Sequence, residues 1–104
     1  MERFCYAFQI APGMEAEYER RHKEIWPGLV EAIKNAGFSN YSLFRRGREV
    51  IAYAECDPSS QSALERLELE EVSHHWNRHI RSIMTSVVDS DGHLFTYDEI
   101  WYLD

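Results

Sequence analysis

Alternation opens the chain. From Phe4 to Ile10 the even positions are Phe4, Tyr6, Phe8 and Ile10, a period of two built from aromatic and β-branched residues, which predicts a β-strand. Cys5 and Ala7 on the other parity are apolar too, so both faces of this strand expect cover. Ala11-Pro12-Gly13 ends it, and the period then lengthens to that of a helix from about Met14 to Ala36, with Gly37 as the stop. Pro27 falls near the middle of this helix and interrupts it, because proline donates no backbone hydrogen bond and its ring crowds the preceding turn. Phe38 to Phe44 and Glu49 to Glu55 read as two strands joined through Arg45-Arg46-Gly47-Arg48, an antiparallel hairpin. Asp57-Pro58-Ser59-Ser60 closes the hairpin and can cap a second helical region, from about Gln61 to Val87 with a break near Glu68 to Val72. Val72, Trp76, Ile80, Ile83, Met84 and Val87 form one apolar stripe along its second half. After the loop Asp89-Ser90-Asp91-Gly92, a last strand is expected from Leu94 to Leu103.

The order β-α-β-β-α-β is that of a ferredoxin-like α+β fold, a four-stranded antiparallel sheet with two helices on one face. The other face would be left open, and its aromatic-rich strands predict a partner, since a contiguous apolar patch marks an interface. The expected assembly is a homodimer with the two sheets facing each other, of the dimeric α/β barrel type.

Composition narrows the classes. A chain of 104 residues is expected to be one domain, 1–104, with no repeat, linker or low-complexity tract. A chain this short buries only roughly 60–70% of its surface on folding, so a partner subunit would add stability. Hydrophobic residues at 44% and charged residues at 28% are the balance of a soluble globular protein rather than a disordered one. The net charge of −7 argues against nucleic acid, which calls for a clustered basic surface. Arg45, Arg46 and Arg48 do cluster, but around Gly47 at the expected hairpin tip, where they are solvated. Cys5 and Cys56 sit in apolar segments outside any C-x-x-C pair, which suits buried reduced thiols and a cytoplasmic location. Neither a signal peptide nor a spanning helix is expected, and so no membrane partner.

Candidate chemistry starts on the first helix. Tyr18, His22 and Trp26 are spaced four apart, so on a continuous helix a phenol, an imidazole and an indole share one face. Each has an apolar body and a polar tip, a surface suited to a small hydroxylated ligand. The plain alternative is a core of hydrogen-bonded aromatic residues around a satisfied histidine. Glu71, His75 and His79 at i, i+4, i+8 could suggest zinc, but Trp76 stands where a metalloprotease pattern places glutamate. His74, His75 and His79 read better as the exposed flank of a helix that buries Trp76 and Ile80, and no metal is expected. There is no glycine-rich phosphate loop and no Gly-x-Ser-x-Gly elbow. What remains is acid–base chemistry by an imidazole in an aromatic pocket, which needs no cofactor.

The run Glu17-Tyr18, Arg20-Arg21-His22 and Ile25-Trp26-Pro27, with Asn40-Tyr41 opening the second strand, closely resembles the L-rhamnose mutarotase family. The match holds without a gap over the first 41 residues, and a second block around Trp76, from Val72 to Met84, is similar as well. The resemblance implies a small dimeric α+β enzyme that interconverts the α and β anomers of a sugar without a cofactor. It implies His22 as the catalytic proton donor, Tyr18 and Tyr41 as sugar-binding residues, and Trp76 as the first of two tryptophans walling the sugar. Asn77 stands where the second tryptophan is expected. An amide that donates and accepts hydrogen bonds there discriminates differently from an indole, which leaves open L-rhamnose or a related 6-deoxyhexose such as L-fucose. Two other readings stay beside this one: a cofactor-free isomerase or cyclase of a different small molecule on the same scaffold, and a non-catalytic binding module.

Overall fold

The alternating aromatic segment forms β1 (Glu2–Ile10), and the helical stretch after it becomes two helices, α1 (Glu15–Lys23) and α2 (Pro27–Ala36), in the computed structural model, which describes residues 1–104. The expected single, interrupted helix is thus fully divided. Proline forces its predecessor out of the helical region, and Trp26 accordingly has extended φ/ψ of −69° and 129° while Pro27 sits at the start of α2. Trp26 therefore does not share the α1 face of Tyr18 and His22. At the far end, Gly37 adopts the left-handed φ of 112° that stops α2, and a Cβ there would run into the Asp57 carbonyl.

The hairpin follows as β2 (Phe38–Arg46) and β3 (Glu49–Cys56), with an irregularity between Ser39 and Ser42 where Asn40 takes a positive φ of 46°. The second helical region also splits, into α3 (Ser60–Glu68) and α4 (Glu71–Arg81). Ser59 caps α3, its hydroxyl oxygen accepting the Ser62 amide at 3.1 Å.

Two expectations for the end of the chain are corrected. The helix stops at Arg81 instead of Val87, because Ala11 N–H reaches the Ile83 carbonyl at 2.9 Å and the next residues, β4 (Met84–Thr85), pair with Ile10 and Gln9. The free edge of β1 offers those residues ladder hydrogen bonds that another helical turn would forgo. The last strand is likewise confined to β5 (Phe95–Tyr97), paired with Ala7 to Cys5 farther along the same edge. Beyond Tyr97 side chains take over from the ladder. Arg3 forks onto the Glu99 carboxylate at 3.0 and 3.1 Å and lies 3.5 Å from the centre of the Tyr102 ring.

The result is a mixed α+β fold with five antiparallel strands and four helices, where four strands and two helices were expected. The strand order is β2-β3-β1-β4, with β5 sharing the β1 edge. Even-numbered side chains of β1 and β3 point toward the helices. Phe8, Ile10 and Val50 pack there with Tyr18 of α1, Leu29 of α2 and Trp76 and Ile80 of α4. Each fully buried aliphatic side chain of this kind contributes about 1.5–3 kcal/mol. Ala36, Phe38, Ala54, Cys56 and Ala63 make a second, smaller cluster that fastens α3 over the end of the hairpin. No helix is long and apolar enough to cross a membrane.

Candidate active site

Charge along α1 fixes the helix that carries the imidazole. Glu15 and Glu17 occupy its first turn and Arg20 to Lys23 its last, as the helix dipole favours. Glu17 receives both Arg20 at 2.6 Å and Arg21 at 2.7 Å, which holds its carboxyl at about 2. Arg21 then reaches across to donate to the His79 carbonyl near the end of α4. This link docks α1 against α4, and with it His22 against Trp76: the two rings meet edge to face with centroids 5.4 Å apart.

A cavity of about 550 Å³ opens between these helices and the sheet. His22, Tyr18, Tyr41, Trp76 and Asn77, drawn from α1, β2 and α4, all line it. That volume and its mostly apolar wall, broken by a few polar tips, suit a small organic ligand.

His22 is half-buried, and its Nδ1 lies 3.0 Å from the carbonyl oxygen of Tyr18. Burial lowers the imidazole pKa, and the hydrogen bond to the carbonyl opposes that shift in part. The ring of Tyr18 stacks on His22 at 4.4 Å and is itself 5% exposed. Burial first, then Tyr6, pushes the Tyr18 hydroxyl pKa up, and this hydroxyl makes no hydrogen bond within the protein although it borders the cavity.

Tyr41 holds a different position. Its residue is 38% exposed, yet its hydroxyl end turns inward to meet the Tyr6 hydroxyl at 2.5 Å. Burial raises both phenols, Tyr41 well above its ordinary range, so the pair stays protonated and one hydroxyl always has a hydrogen left to donate.

Trp76 is 7% exposed, with Trp26 meeting it edge to face at 5.1 Å. Trp26, expected on the ligand face, backs the wall instead of lining it, a consequence of the extended backbone before Pro27. Asn77 is half-buried and its amide makes no hydrogen bond within the protein.

Sequence reasoning missed Tyr6 and Arg81, which both line the cavity. Tyr6 carried a signal: a phenol on the buried parity of a strand has to find a partner for its hydroxyl. Arg81 carried one too: it stands four residues after Asn77 within the expected helix and so on the same face. The histidines of α4 are exposed as expected; His75 faces Glu71 at 3.6 Å and His74 Nε2 meets the Glu68 carbonyl at 2.7 Å. Asp89, Asp91 and His93 bring their ligand atoms within 4.8 Å of one another in the last loop, where the Asp89 carboxylate already accepts the Asp91 and His93 amides.

The fold and the cavity together define a small α+β protein with an imidazole and three phenols around one apolar pocket. A family model described as L-rhamnose mutarotase matches residues 3–103. The L-rhamnose mutarotase of Pectobacterium atrosepticum is 30% identical over 104 residues, covering all of both chains, and that of Acidiphilium cryptum is 37% identical over 90 residues, covering 86% of each. The chain belongs to the L-rhamnose mutarotase family, enzymes of the isomerase type. Among solved structures, the L-rhamnose mutarotase of Formosa agariphila superposes with a TM-score of 0.80 at 23% identity over both full chains. Tetracenomycin F2 cyclase of Streptomyces glaucescens, a type-II polyketide cyclase, superposes with a TM-score of 0.68 at 13% identity over 100% of this chain and 98% of its own. At such identities these two likenesses concern the fold alone.

Proposed function

We propose that this chain interconverts the α and β anomers of L-rhamnose, or of a related 6-deoxyhexose such as L-fucose, by acid–base ring opening. The observation that carries the reading, beside family membership, is an imidazole whose Nδ1 is engaged by the Tyr18 carbonyl inside a cavity lined by tyrosine hydroxyls. A carbonyl only accepts, so Nδ1 bears the proton and Nε2 is the working nitrogen.

His22 removes the hydrogen of the anomeric hydroxyl through Nε2 as the bond between C1 and the ring oxygen breaks. The imidazolium, held by the Tyr18 carbonyl, returns that proton to the ring oxygen. O1 loses a proton and O5 gains one, so a single imidazole closes the balance and is the proton donor to the ring oxygen. Rotation about C1–C2 and the reverse sequence give the other anomer. Tyr18 and Tyr41 bind the sugar hydroxyls, with Tyr6 holding Tyr41 in place, while Trp76 offers an apolar face and Asn77 an amide. No cofactor or metal takes part in these steps.

The βαββαβ order is read as ferredoxin-like and the working form as a cytoplasmic homodimer through the open sheet face. Phe44, Ile51, Ala7 and Phe95 align across neighbouring strands on that face, with Phe44 61% and Phe95 44% exposed. An apolar row of this kind supports a partner sheet.

Anomer exchange of L-rhamnose and L-fucose by saturation-transfer NMR tests the reading. The expected outcome is enhanced exchange that falls by about 10²–10⁴ in His22→Ala, the usual contribution of a positioned acid–base group. Equal exchange with the wild type and with folded His22→Ala would overturn it.

A further inference from the structure

Asn77 and Arg81 stand one turn apart on α4, so both side chains leave the helix on the same side, and both border the cavity that holds His22. Most arginines of this chain are engaged: Arg3, Arg20, Arg21, Arg45 and Arg46 face carboxylates, while Arg48 meets the Ile10 carbonyl and Arg78 meets His75. No carboxylate lies within 4.0 Å of Arg81, and neither its guanidinium nor the Asn77 amide makes a hydrogen bond within the protein. In a chain of net charge −7, an unpaired cation at the edge of an apolar cavity is available to an anion. Its charge is already felt inside, where it acts to lower the Tyr6 hydroxyl pKa against the larger effect of burial.

Two further charged groups border the cavity, Lys34 of α2 and Glu68 of α3, and neither lies on the helix that presents Asn77. A guanidinium offers a planar fork of donors that matches a carboxylate, and an amide one turn away supplies a further donor and an acceptor for a neighbouring hydroxyl. A methyl group, as at C6 of a 6-deoxyhexose, would leave the guanidinium fork unused.

We propose that Asn77 and Arg81 form a carboxylate subsite, so that the cavity prefers an aldose bearing a carboxylate, a hexuronate, over the neutral sugar of the same ring configuration. The inference rests on the mutarotase reading and extends its substrate class. The reaction at C1 is the same proton transfer from O1 through His22 to O5, and the carboxylate only anchors the sugar at C5, on the other side of the ring oxygen from C1.

Paired substrates isolate the carboxylate: anomer exchange is measured for D-galacturonate beside D-galactose and D-glucuronate beside D-glucose, with L-rhamnose as the reference for the activity itself. The wild type is expected to favour each uronate over its neutral partner by about ten-fold in kcat/KM, the scale of one charged hydrogen-bonded contact. Arg81→Gln is expected to bring that ratio to near one, Arg81→Lys to keep part of it, and added salt to lower it in the wild type. If Arg81 only complements the end of the helix, the ratio will not move in Arg81→Gln, and the proposal is overturned. Equal exchange of uronates and neutral hexoses by the wild type also overturns it, while L-rhamnose exchange that depends on His22 leaves the mutarotase reading standing. Absence of exchange for L-rhamnose and for every other sugar overturns both.

Discussion

His22 Nδ1 lies 3.0 Å from the carbonyl oxygen of Tyr18, the residue one helical turn before it. Residues four apart on a helix lie one turn above the other, which puts the Tyr18 carbonyl within reach of the His22 ring. Here the aromatic wall of Trp76 closes the other direction. The bond fixes the tautomer and leaves Nε2 toward the cavity. It also stabilises the imidazolium when one forms, without making it the resting state, because burial works harder in the other direction.

The first expectation concerns pH. The His22 pKa is lowered below the ordinary value near 6.5, so the reactive neutral ring persists into mildly acidic solution. The kcat/KM for anomer exchange, which follows the free protein, should rise with pH through an apparent pKa below about 6.5 and then stay level. Stability has the same sign: the unfolded chain binds more protons than the folded one between the two pKa values. The contribution is therefore present above about 6.5 and lost as pH falls through the folded-state value. An NMR titration of the His22 ring beside the rate profile checks both; a ring that titrates above 6.5 would contradict this account.

Tyr18→Phe separates binding from folding. The hydroxyl has no partner within the protein, so deleting it leaves no group stranded and should change unfolding stability by less than about 0.5 kcal/mol. The cavity loses a donor and acceptor for the sugar, which should reduce kcat/KM by about ten-fold or more. Urea unfolding and exchange kinetics on the same variant give the two numbers. A variant as active as the wild type would remove Tyr18 from the site.

Tyr6 and Tyr41 are expected to be coupled. Their hydroxyls meet at 2.5 Å across two strands that are not neighbours, with β3 between them in the sheet order. Tyr6→Phe or Tyr41→Phe alone should cost about 1 kcal/mol of stability, and the double variant less than the sum, because the second change no longer breaks a bond. A double-mutant cycle by urea unfolding measures this. Strict additivity would mean that the two hydroxyls are independent.

The parity of β1, the existence of the hairpin, the stop at Gly37 and the cap at Ser59 were all legible from local rules, since each depends on a residue and its near neighbours. The same rules placed Tyr18, His22, Tyr41, Trp76 and Asn77 on elements that the fold then brings around one cavity. Non-local competition was not legible. Met84 and Val87 continue the helical stripe of Trp76 and Ile80, but the vacant edge of β1 draws Met84 into a strand. Trp26 kept the spacing of Tyr18 and His22, and the proline after it cancelled that spacing. Tyr6 looked like one more strand aromatic because its partner, Tyr41, is 35 residues away.

The last expectation concerns the open face. Ile51 pairs with Ala7 on one side and Phe44 on the other, and it is 38% exposed in the single chain. An aspartate at this position would meet water in the monomer, so Ile51→Asp should leave the fold intact. In a dimer built through this face the same carboxylate would be buried without a partner, which costs several kcal/mol and is enough to shift association by a hundred-fold or more, by roughly ten-fold per 1.4 kcal/mol. Sedimentation velocity across a range of concentrations should find a wild-type dimer and an Ile51→Asp monomer with unchanged far-ultraviolet circular dichroism. A wild type that sediments as a monomer at every concentration would mean that Phe44, Ile51 and Phe95 face solvent in the working protein. A variant that remains a dimer would move the interface to another surface.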